Sequence, residues 1–208
     1  MLGPNGAGKT TTMNMLTGYI EITKGSIEIN GIDVAANPKM AKKQIGYMPE
    51  NVPLYTDLKV KEFLKYMAEL KMTDKKEIEQ NIEKVMKDIN IEDVKGKLIK
   101  TLSKGYKQRV SLAGTLVSNP KIIILDEPMS GLDPKQILEI RDVIKNLKKE
   151  HTVIISSHIL TEMSQICDRV IIINKGKIIA VESIEEIKQK GDNLEDIFIK
   201  ALENGGNK

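Results

Sequence analysis

MLGPNGAGKTTT, residues 1–12, is the stretch on which the fold of this chain turns. Gly3, Pro4, Asn5, Gly6, Ala7, Gly8, Lys9 and Thr10 fit G-x-x-x-x-G-K-[ST] at every fixed position. Glycines at this spacing let the backbone curl so that successive amides point at phosphate oxygens. The helix that follows would turn its positive N-terminus on the same anion. Lys9 is placed to reach the outer phosphates and Thr10, with Thr11 beside it, to hold a magnesium ion. An ordinary glycine-rich turn is the bland alternative, and the complete match argues against it. Only Met1 and Leu2 precede Gly3, and two residues make a poor strand. The leading end of the loop is therefore expected to be unanchored.

Working outward, the composition is that of an ordinary globular chain. The 208 residues are 40% hydrophobic and 29% charged, with a net charge of +3. Lys and Arg are spread along the chain and aromatics make up 3%, so the concentrated basic stripe with stacking rings of a nucleic-acid binder is missing. Apolar runs such as IIIL (122–125) and VIII (170–173) are far too short for a membrane span. The single cysteine, Cys167, has helical spacing with Leu160, Met163 and Ile166 and reads as a buried core thiol.

KTTTMNMLTGYI after the loop reads as a helix, SIEINGIDV as a hairpin turning at Asn30-Gly31, and IGYM (45–48) as a short strand. DLKVKEFLKYMAELK and DKKEIEQNIEKVMKDI show helical periodicity with charged outer faces, the start of a helical insertion over about 51–118. Wholly apolar KIIIL (121–125) and TVIISS (152–157) read as strands buried on both faces. Asp133-Pro134 caps and opens a helix to about Glu150. DRVIIINKGKIIA gives two strands joined at 174–177, and a tail over about 183–208 holds two short helices. The alternation predicts an α/β fold with a mainly parallel sheet and one antiparallel edge.

Four further segments carry chemistry. IIILDEP ends a buried strand on Asp126, suited to the magnesium shell, and Glu127, suited to polarising an attacking water; alternatively the two carboxylates cap the next turn. LSKGYKQR (102–109) precedes a helix, and Ser103 alone could be a simple N-cap. SGLD (130–133) could be a plain turn. His158 closes SSH (156–158), where a lone histidine is more often a satisfied polar group than a catalyst.

Order and spacing unite them: Ser103 to Asp126 is 23 residues, Asp126 to His158 is 32. The succession of loop, helical insertion, LSKGYKQR, ILDEP, SGLD and SSH resembles the ATP-binding cassette (ABC) family over essentially the whole chain. IGYMPENVPLYTDLKVKEFL is similar to the Q-loop region of ABC-2-type exporter ATPases, and within those SKGYKQR, GLDPKQ and NLEDIFIKAL look closest to the gliding-motility and multidrug-type subgroup. In the resemblance LSKGYKQR is the family's signature motif, and the chain departs from the family pattern at its Lys104 and Tyr106, and at Glu50, where most members have glutamine.

The resemblance implies a single P-loop nucleotide-binding domain over 1–208 that hydrolyses ATP with Mg2+. Ser103 and Gly105 would face the nucleotide of a second copy in a head-to-tail dimer, and His158 would sense the γ-phosphate. Glu50 would lie near the metal, with its role in doubt because a carboxylate repels phosphate. A separate membrane permease would dock on the helical insertion, placing the protein at the cytoplasmic face of a membrane, with no nucleic-acid partner. A non-transport ABC ATPase is the alternative, as is an inactive fragment. Family members carry further residues before the loop, including an aromatic that stacks on adenine. The chain thus reads as begun at an internal methionine, with poor ATP binding as written.

Overall fold

Why these residues form these elements is plain along the chain of the computed structural model, which describes residues 1–51 and 53–205. Helix α1 (Lys9–Leu16) follows the glycine-rich loop. It stops four residues short of the expected Ile20 because Gly18 takes a left-handed φ of 63°. Strands β1 (Glu28–Ile29) and β2 (Ile32–Asp33) form the hairpin, with Asn30 and Gly31 both at positive φ as a tight turn requires. Helix α2 (Pro38–Gln44), absent from the sequence reading, opens on a proline at its first turn and leads into β3 (Ile45–Met48).

The helical insertion comprises α3 (Val60–Leu70), α4 (Lys75–Asp88) and α5 (Lys104–Leu116). The LSKGYKQR segment does not precede a helix. Ser103 caps α5, its Oγ accepting from the Tyr106 amide at 3.4 Å, and residues from Lys104 onward are the helix itself. Then come β4 (Ile122–Asp126), α6 (Pro134–Leu147), β5 (Thr152–Ser156), α7 (Leu160–Ile166), β6 (Arg169–Asn174) and β7 (Lys177–Ser183). Helices α8 (Ile184–Gln189) and α9 (Leu194–Gly205) end the described chain. Residue 52 of the expected insertion and residues 206–208 of the expected tail lie outside the described residues.

Strands β3, β4 and β5 pair in parallel, in register Met48 with Leu125 and Leu125 with Ile155. Strands β6 and β7 pair antiparallel. Met1 and Leu2 join the two groups. Leu2 donates to Ile171 O at 2.7 Å and accepts from the Ile173 amide at 2.8 Å, while the Ser157 amide donates to Met1 O at 3.2 Å. Both bridges of Leu2, to Ser157 and to Ile172, are parallel. The leading end of the loop, expected to be unanchored, is held instead: strand edges on both sides supply partners, and Leu2 is wholly buried. The sheet order is β3–β4–β5–Leu2–β6–β7, parallel except for its β7 edge.

One apolar cluster runs from Leu2, Ile123 and Ile155 into Phe63, Leu64 and Ile82 of the insertion. A second, of Met13, Ile45 and Ile124, packs α1 and α2 on the other face of the sheet. Burying each such side chain contributes about 1.5–3 kcal/mol. Cys167 is half-buried at the end of α7 rather than fully in the core, and burial pushes its thiol pKa up. Lys71, at the end of α3, crosses back to the sheet. Its Nζ donates to Ile45 O at 2.9 Å and Lys42 O at 3.2 Å, and burial pushes its pKa down.

Candidate functional site

Three parallel strands end together, and the carboxyl ends of such strands are where open α/β sheets bind ligands. Beyond β3 stands Glu50, beyond β4 stands Glu127, and beyond β5 stands His158. The loop at residues 3–8 closes over the same edge. Together they surround a hollow of about 360 Å³, lined from Asn5 to Thr11 and by Glu50, Glu127 and His158.

The loop takes its shape from its glycines. Gly6 and Gly8 take φ of 78° and 103°. Gly3 has ordinary φ, but a Cβ there would lie 2.4 Å from Ile173 O of β6. The β6–β7 turn braces the loop, with the Gly176 amide donating to Ala7 O at 2.9 Å. Lys9 is buried, and its ammonium is held over the loop by Gly3 O at 2.7 Å and Pro4 O at 3.3 Å. Helix α1 has no side-chain cap and no acidic residue in its first turn, so its leading amides are open to an anion. Thr10 and Thr11 are exposed on that turn.

Asp126 and Glu127 are both buried. Glu127 sits at φ 47°, a left-handed conformation that costs a non-glycine residue about 1–3 kcal/mol. Ser156, fully buried on β5, holds the bend. The Glu127 amide donates to Ser156 Oγ at 3.0 Å and to Ser156 O at 3.2 Å, and Ser156 Oγ in turn donates to Asp126 Oδ1. The second oxygen of Asp126, Oδ2, is buried without a hydrogen-bond partner. His158 Nδ1 lies 2.9 Å from Glu127 Oε2 and donates to it. On β3, Tyr47 donates to Asn14 Oδ1 at 3.2 Å; burial first, then the Asp126 charge, pushes its phenol up to about 12, so it stays neutral.

Of the residues singled out in the sequence, Lys9, Thr10, Thr11, Glu50, Glu127 and His158 meet at the hollow, with Asp126 behind them. Ser103 and Gly105 do not. They begin α5 outside the hollow, Ser103 exposed and Gly105 packed on Gln136. Ser156 was missed as a site residue. SSH was read through its histidine, and only the β4–β5 register, pairing Asp126 with Ser156, shows what the first serine does. A larger hollow of about 530 Å³ beside Tyr19, Ile22 and Val34 has Glu21 as its one charged lining residue, so converging chemistry selects the smaller one.

A metal delivered with a nucleotide fits this donor set. Among the described residues no three His, Cys, Asp or Glu side chains form a ready-made cage. Mg2+ needs none: it uses one or two carboxylates plus substrate phosphates and water. The orphaned Asp126 Oδ2 and the exposed Thr10 are the groups that would hold it.

Comparisons agree with this geometry. A family model described as ABC transporter matches residues 1–130. The chain is 41% identical over 206 residues to an ABC transporter ATP-binding protein of Methanocaldococcus jannaschii, covering 99% of this chain and 72% of that one. It spans 56–63% of the length of four further relatives. Its fold superposes on an ATP-binding subunit of an ABC transporter with TM-score 0.84 at 29% identity, covering 97% of this chain and 86% of the other. With cbiO1 of Clostridium perfringens, part of the ABC transporter complex cbiONQ, the TM-score is 0.80 at 29% identity, over 92% and 78% of the two chains. Loop, strand-end carboxylates, fold and sequence all lead to one conclusion: the chain belongs to the ABC transporter family, among its ATP-binding proteins, a family of ATPases.

Proposed function

We propose that this chain is the ATP-hydrolysing subunit of an exporter of the ABC-2 type, working at the cytoplasmic face of a membrane on a separate permease. The observation that carries the reading is Glu127. Its backbone amide is held by Ser156 and its buried carboxylate by His158, and it shares the hollow with the phosphate-binding loop. The α1 amides and Lys9 bind and orient the phosphates. Thr10 and Asp126 hold Mg2+, which when bound neutralises charge on the outer phosphates. Glu127 takes a proton from the attacking water, and His158 keeps its carboxylate aimed.

No helix among the described residues is long and apolar enough to cross a membrane; in this reading a partner chain carries the transport path. The relation to cbiO1, part of a multi-subunit transporter complex, supports a partnered role. Ser103 and Gly105, outside this chain's own hollow, complete in this reading the site of a second copy arranged head to tail. Docking of the permease falls to the α3–α5 insertion, with Glu50 linking it to the site. Glu127→Gln tests the core of this reading. It keeps shape and hydrogen bonding but removes the base, so turnover should fall by about 10²–10⁴ while ATP binding persists and an ATP-dependent dimer accumulates in light scattering. Near-normal phosphate release by this variant would refute the assignment.

A further inference from the structure

We infer that Glu50 makes this site selective for metal-complexed over metal-free nucleotide; the inference rests on the nucleotide reading above. Strand register supplies the placement. Met48 pairs with Leu125, and Glu50 and Glu127 each follow those partners by two residues. They therefore leave neighbouring parallel strands at the same level and line the same hollow. Glu50 is exposed there, whereas Glu127 is buried.

The charges do not balance. The lining holds one ammonium, Lys9, which already serves two loop carbonyls, against the carboxylates of Glu50 and Glu127. Asp126 lies immediately behind, with one oxygen unpartnered. A triphosphate without a cation meets this excess of like charge at short range, where repulsion persists even beside solvent. A divalent ion on the phosphates turns the same carboxylates into attractive partners. A glutamine at position 50 would leave the metal-free nucleotide much less penalised. Glu50 is therefore a specificity-determining residue, which keeps bare ATP out of a site that could bind but not hydrolyse it.

The experiment titrates the full chain with a ribose-labelled fluorescent ATP analogue, once in excess EDTA and once in excess Mg2+. The readout is the ratio of the two Kd values. In Glu50→Gln this ratio should fall at least about fivefold, chiefly because affinity in EDTA tightens; Glu50→Ala should do the same and Glu50→Asp should not. An unchanged ratio in Glu50→Gln, with a wild-type circular dichroism spectrum, overturns the inference. If the wild-type chain binds and Lys9→Ala does not, that failure leaves the nucleotide reading intact. Wild-type chain that binds the analogue under neither condition overturns both.

Discussion

Ser156 shows how much one buried hydroxyl can set. It accepts from the Glu127 amide and donates to Asp126, so one side chain holds both the Asp126 carboxylate and the strained backbone of Glu127. Neighbouring Ser157 does a local job instead, accepting from the Ile159 amide at 3.0 Å. Ser156→Ala should destabilise the chain by about 1–3 kcal/mol, since Asp126 loses a donor where water cannot replace it. Turnover should fall more than ATP affinity, because the loop and Lys9 are untouched. Urea unfolding with parallel phosphate-release and binding assays checks this. Stability and turnover both at wild-type levels would show that the bend at Glu127 holds itself.

At the scale of elements, α5 lies close against β3. Gly46 is buried with ordinary φ, and a Cβ there would lie 2.5 Å from Thr115 O and 2.9 Å from Pro120 Cγ. Backbone and a proline ring cannot swing aside as a long side chain can. Gly46→Ala should therefore push α5 off the sheet, at about 1–3 kcal/mol or more, visible as a lowered Tm. A Tm within a degree of wild type would mean that the helix and strand are less tightly apposed. Gly105, by contrast, faces the side chain of Gln136, which can move. The same reasoning separates a glycine needed for packing from one that a substitution can accommodate.

The whole molecule hangs together through Leu2. It bridges β5 and β6, so the parallel group that carries the carboxylates and the hairpin that braces the loop are joined through a two-residue link. Leu2→Ala opens a cavity at the middle of the sheet and should cost about 2–5 kcal/mol. It should also weaken nucleotide binding, because Gly3 follows directly. Equilibrium unfolding and fluorescent-nucleotide titration test both parts. A loss under ~1 kcal/mol with unchanged affinity would show that strand edges, not the side chain, hold the link.

Much of this was legible in residue order alone. The glycine spacing of residues 3–8, the Ile-rich β4 and β5 and the Asp-Pro start of α6 each act locally, through φ freedom, β-branching and capping, and so can be read without a fold. The strands β3, β4 and β5 and the hairpin at Asn30-Gly31 lie where such local rules put them. Helix α2 was not legible, since PKMAKKQ is too short and polar to show a period. Nor were the partners of Leu2 and Ser156. Each lies distant in the chain: Ser157 and Ile172 for the first, Asp126 and Glu127 for the second. Sequence by itself determined which residues could bind phosphate, hold a metal or activate water. Only the tertiary structure decided which of them share one hollow, because parallel pairing aligns strand ends that the chain separates by about 30 residues or more.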